Sequence, residues 1–112
     1  MKQPLIIQPA DAQIRKISES YYVASFVTAQ QSENVSLAIG TANQHKETTK
    51  TSSERIYFVL EGELVVNGTK VGKEEVIYIP ANTEYSFEGS FKTIIINSPA
   101  FKAKKEETSY LI

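Results

Sequence analysis

The residues able to do chemistry in this chain crowd into one stretch, QHKETTKTSSERIY, from Gln44 to Tyr57. His45, the one histidine in 112 residues, could move protons or hold a metal. Set beside Lys46 in a polar run, it reads as a solvated side chain on a loop. Thr48, Thr49, Thr51, Ser52 and Ser53 form a cluster of hydroxyls. Hydroxyls both donate and accept, as a sugar-like pocket requires, although such runs more often form exposed hairpin loops. Arg55 supplies a planar guanidinium that grips carboxylate or phosphate through paired hydrogen bonds. Tyr57 and Val59 share its face if the segment is a strand, because strand side chains alternate. The glutamates Glu61, Glu63, Glu74 and Glu75 read as solvated strand ends rather than a catalytic pair.

Other chemistries are excluded outright. There is no cysteine, so no disulfide, thiolate metal site or thiol nucleophile exists. No Ser-His-Asp arrangement or glycine-rich phosphate loop appears. Net charge is −1 with both signs mixed, unlike the basic footprint of a nucleic-acid binder. No apolar run approaches membrane-spanning length, and the Leu5–Ile7 run is far too short for a signal-peptide core. These features point to a cytoplasmic protein forming one domain over residues 1–112. A chain of this size buries roughly two-thirds of its unfolded surface and needs no external support for its core.

The elements that must position these residues are mostly β. Leu5–Gln8 is a short apolar run closed by Pro9. Tyr21–Val27 is rich in aromatic and β-branched residues, and Gln30–Asn34 reads as a turn. Val35–Ile39 alternates, which puts Val35, Leu37 and Ile39 on one face. Gly40 breaks that strand, and Thr41–Ser53 is polar. Ile56–Leu60 is an unbroken apolar run suited to a strand covered on both faces. Asn67-Gly68 is a strong hairpin signal, since both residues tolerate positive φ. Val76–Ile79 is a strand stopped by Pro80, Tyr85–Phe87 a short strand, Glu88–Ser90 a turn and Phe91–Asn97 the last clear strand. The charged segment Lys102–Glu107 reads as a helical turn or loose tail, with Tyr110, Leu111 and Ile112 able to pack back. Many short strands separated by turn residues predict an all-β sandwich or barrel.

Two segments together, ERIYFVLEGELVVNG and EEVIYIPANTEYSF, resemble the paired motifs of the cupins, with the similarity spanning about residues 35–101. The resemblance implies a double-stranded β-helix, the jelly-roll barrel, with a pocket in its mouth. It also implies where a metal would sit, since cupins often hold one through three histidines and a glutamate. Counting back from Gly62, the glutamate position falls on Arg55, beside Glu54. The first two histidine positions fall on Thr49 and Thr51, or on Thr48 and Lys50. Glu74 and Asn82 stand where the second motif has glycines, and Tyr85 stands where it has its histidine. No metal ligand occupies its expected place, and threonine hydroxyls and a guanidinium make a poor cation site.

The expectation is therefore a metal-free, cofactor-free protein that binds a small polar or anionic metabolite. Arg55, Tyr57, Tyr85, Thr49, Thr51 and Glu54 would line its pocket. Arg55 could instead pair internally with Glu47 or Glu54, and Tyr85 could simply fill the space of the missing metal. A second possibility is a metal-independent isomerase, epimerase or lyase on a sugar or keto acid, with Tyr85 as acid and Glu54 or His45 as base. A third is a displaced metal site formed by His45, Glu47 and Glu54, given a longer loop. A fourth is a non-catalytic interaction module with a closed pocket. The resemblance also implies a homodimer, formed through the sheet that carries Ile56–Leu60.

Overall fold

The computed structural model describes residues 3–102 and 107–110. After a 3-10 turn at Pro9–Asp11 come eight strands: β1 (Gln13–Ser18), β2 (Tyr21–Val27), β3 (Ser36–Thr51), β4 (Glu54–Val66), β5 (Thr69–Val71), β6 (Val76–Ile79), β7 (Thr83–Ser98) and β8 (Glu107–Tyr110). All pairings are antiparallel. Leu5–Gln8 forms no strand. The helical turn expected over Lys102–Glu107 and the packing of Leu111 and Ile112 fall largely outside the described residues.

The strand order is β1-β2-β3-β7-β4-β5, with β6 beside β4 and β8 beside β3. The connectivity is jelly-roll-like, but the sheet does not close into a barrel, which corrects the expected double-stranded β-helix barrel. The order begins and ends on the edges of β1 and β5, which do not pair with each other. Closure needs strands long enough to carry the hydrogen-bond ladder around the ring. Here β5 has 3 residues and β6 has 4. Pro80 follows β6 immediately and supplies no N–H to prolong it.

Three long strands, β3, β4 and β7, run side by side and carry most of the core. Two of them change inward parity partway. In β3, Ser36, Ala38, Gly40 and Ala42 face inward; after an irregularity between Ala42 and His45, the inward residues are His45, Glu47, Thr49 and Thr51. Gln44, at the irregularity, has φ 51°. In β4, Arg55, Tyr57 and Val59 face inward; beyond a shift between Val59 and Glu61, Leu64 and Val66 do. One extra residue in a strand moves all later side chains to the opposite face.

Val35, Leu37 and Ile39 share one face as expected, and it is the outer one: Val35 is 40% exposed, and the small-residue face of Ser36, Ala38 and Gly40 turns inward. The polar run Thr41–Ser53 belongs to β3 almost throughout instead of forming a loop, and Thr49, Thr51 and Ser53 are buried. Glu88–Ser90 makes no turn but lies within β7, paired with Glu63–Val65 of β4. The Asn67-Gly68 hairpin forms as expected, with φ 48° and 82°. Phe87 sits at the centre of the core, its ring within 5.7 Å of both Tyr21 and His45 and 6.1 Å of both Tyr57 and Phe91.

Candidate functional site

A cavity of about 310 Å³ opens between β1–β2 and the inner faces of β3, β4 and β7. Small side chains among its lining, Ser36 and Ala38 of β3 and Ser25 of β2, leave space that larger ones would fill. Volumes of roughly 300–1,000 Å³ are typical of small-molecule sites. Gly40 lets Tyr21 and Ile95 pack close against β3. A Cβ there would stand 2.8 Å from the Tyr21 hydroxyl and 3.0 Å from Ile95 Cδ1.

The polar wall is a set of cross-strand neighbours. Arg55 of β4 lies opposite Asn97 of β7, which lies opposite Ser36 of β3. Arg55 is 5% exposed. Its Nε donates to Asn97 Oδ1 at 2.6 Å, and its Nη1 donates to the Tyr85 hydroxyl at 2.7 Å. The Tyr85 and Tyr57 oxygens are 2.6 Å apart. Burial pushes both hydroxyls above the ordinary tyrosine value, so both stay protonated at neutral pH, and one of them donates to the other.

Glu47 of β3 also lines the cavity. Its Oε1 lies 2.6 Å from His45 Nε2, and His45 Nδ1 lies 2.7 Å from Ser20 Oγ. The imidazole is 3% exposed and stacks on Tyr21, with ring centroids 4.8 Å apart. Burial raises Glu47 above the usual carboxylate range, against the opposing pull of His45, Arg55 and Arg15. At the mouth, the Phe101 ring sits between two cations, 4.6 Å from the Arg15 guanidinium carbon and 5.9 Å from that of Arg55. The segment carrying Phe101 is tied down by three bonds: Ala100 N donates to Glu33 O, Phe101 N to Ser36 Oγ, and Lys102 Nζ to Glu33 Oε2.

Of the residues picked from sequence, Arg55, Tyr57 and Thr49 line the cavity. Tyr85 does not; it stands behind the wall and bonds to Arg55 and Tyr57. Thr51 is fully buried, with its hydroxyl donating to Ser53 O instead of facing the cavity. Glu54 points outward and accepts a 2.5 Å bond from the Tyr78 hydroxyl. That position removes Glu54 as a base in the cavity and separates it from His45 and Glu47. Among the described residues, no three of His, Cys, Asp and Glu gather where a metal could sit. His45 is not the solvated loop residue its neighbours suggest. Glu47, Arg15, Asn97 and Phe101 went unrecognised as cavity residues. Strand alternation back from Thr49 would have found Glu47 and His45; the other three depend on pairings between distant strands.

No protein-family model matches the sequence, and no curated protein matches it. Solved structures do match. Pac13 from Streptomyces, in a form with uridine, superposes with TM-score 0.79 at 18% identity, covering 99% of this chain and 94% of the other. Pac13 is a nucleoside dehydratase. KdgF from Halomonas sp. matches with TM-score 0.75 at 11% identity, over 91% of this chain and 99% of the other. RemF, a polyketide cyclase from Streptomyces resistomycificus, matches with TM-score 0.75 at 11% identity, over 98% and 87%. The neighbours are diverse cupin-superfamily proteins, and at such identities they establish fold alone. The metal site common among cupins has no counterpart in the donors present: at its expected positions stand threonines, a guanidinium and a tyrosine.

Proposed function

We propose that the cavity binds a small polar or anionic metabolite without the help of a metal. The observation that carries this reading is Arg55: a guanidinium 5% exposed, oriented by Asn97 and Tyr85, on the wall of a cavity of about 310 Å³. A buried cation held this firmly is suited to meet a carboxylate or phosphate without reorganising. Arg15 adds a second positive charge at the mouth, and Thr49, Ser36 and Ser25 add hydroxyls for a polyol or nucleoside-like ligand. The uridine form of Pac13 supports a ligand of that size and polarity. No helix among the described residues is long and apolar enough to cross a membrane, and a cytoplasmic setting belongs to this reading. A screen of small anions by thermal shift tests it: one or more should stabilise wild-type protein, and Arg55→Met should abolish that shift. Equal shifts in both would remove Arg55 from the site.

A second observation favours a homodimer. On the outer face, two apolar rows cross the sheet: Tyr78, Ile56, Ile96 and Leu37, then Val76, Phe58, Ile94, Ile39 and Ala24. Val76 and Tyr78 are more than half exposed. A continuous apolar face of this extent is unusual on a monomer. A second copy of the chain, presenting the same rows, would cover it symmetrically.

A further inference from the structure

We propose that Glu47 is the proton-transferring residue of the cavity, acting on a small keto acid whose carboxylate lies against Arg55 and Arg15. This rests on the anion-binding reading above and names its substrate class. The geometry is specific. Glu47 is 5% exposed, yet it lines the cavity. His45 occupies Oε1, and Oε2 accepts no hydrogen bond from a described residue. One carboxylate oxygen is therefore anchored and the other remains for a bound molecule. The raised affinity of Glu47 for a proton brings it closer to the range useful for acid–base work near neutral pH.

The step balances without a co-reactant. Ionised Glu47 removes a proton from the carbon beside the substrate carbonyl. The C–H bond breaks, its electron pair moves into the new C=C bond, and the carbonyl oxygen takes the negative charge as an enolate. The Tyr57 hydroxyl, which lines the same cavity, would donate to that oxygen. Return of the proton from Glu47 regenerates the carbonyl compound. His45 is a positioning residue: with Glu47 ionised, Nε2–H donates to Oε1 while Nδ1 accepts from Ser20.

The test is deuterium exchange, followed by NMR, of pyruvate, acetoacetate and hydroxypyruvate in deuterium oxide, with saturation transfer from protein to probe recorded in parallel. Wild-type protein should exchange at least one probe faster than buffer does. Glu47→Gln should lose exchange by about 100-fold or more and keep the saturation transfer. Should that variant fail to fold, Glu47→Asp, which withdraws the carboxylate by one methylene, should slow exchange and still bind. His45→Gln should keep exchange but move its rise to higher pH, because His45 favours the ionised form. The charged and titratable groups facing Glu47 are His45, Arg55, Arg15 and the phenols Tyr21 and Tyr57. Saturation transfer without exchange in wild type overturns proton transfer and leaves binding intact. Exchange undiminished in both Glu47 variants overturns the role of Glu47. No saturation transfer to any probe overturns the keto-acid class, and where the Arg55-dependent thermal shift is also missing, the anion-binding reading falls with it.

Discussion

The hydroxyl oxygens of Tyr57 and Tyr85 lie 2.6 Å apart in the interior, and Arg55 donates to Tyr85 from 2.7 Å. Only one of the two tyrosines, Tyr57, reaches the cavity. Tyr85 thus orients the guanidinium and the phenol that do. Tyr85→Phe would leave the Arg55 Nη1 donor without this acceptor in a buried setting. It should lower stability by about 1–3 kcal/mol, read as a drop in the urea midpoint with an unchanged slope. Ligand affinity should fall as well, since the guanidinium loses one of its two described anchors.

The same hydroxyls set an alkaline limit. Tyr21, Tyr57 and Tyr85 all ionise at higher pH folded than unfolded, because burial disfavours the phenolate. Their contribution to stability is complete below the unfolded value near 10 and is lost as pH rises through the folded values. Ultraviolet titration should show these phenols ionising only together with unfolding, at a pH above the ordinary tyrosine range. Tyr85→Phe should narrow the gap between the stability at neutral and at alkaline pH.

Ala38 leaves room for the cavity while making no polar contact of its own. Ala38→Leu should fill part of the space and remove the ligand-induced thermal shift, with the protein still folded. Overpacking of this kind costs about 1–3 kcal/mol where the surroundings are tight and less where a void exists. A retained shift would mean that the ligand binds elsewhere.

The outer apolar rows make a separate claim on association. Phe58→Glu places a charge within the row Val76, Phe58, Ile94, Ile39 and Ala24. In light scattering at micromolar concentration, wild type should have the mass of two chains and the variant that of one. A monomeric wild type would remove the second copy from the picture.

Much of this molecule was legible in one dimension. Strands β2 and β6, the hairpin at Asn67-Gly68, and the face shared by Arg55, Tyr57 and Val59 follow from local patterns, while the inward direction of that face was implied by the cupin resemblance. Alternation, turn residues and β-branched runs act over a few neighbours, and a single chain displays them directly. The absence of cysteine and of histidines at the cupin positions likewise limits the chemistry. What tertiary structure decided was parity, closure and partnership. The bulges at Ala42–His45 and Val59–Glu61 reverse which side chains face inward, and their positions depend on register with β7. They carry His45 and Glu47 from an apparently solvated run into the core. Open edges at β1 and β5 result from which strands meet which, a matter of pairing between residues far apart in sequence. Arg15, Arg55, Asn97 and Phe101 come from four separate segments, and nothing in the spacing between them announces a shared cavity. A site of that kind is a product of long-range packing, so the physics that assembles it acts only once the sheet has folded.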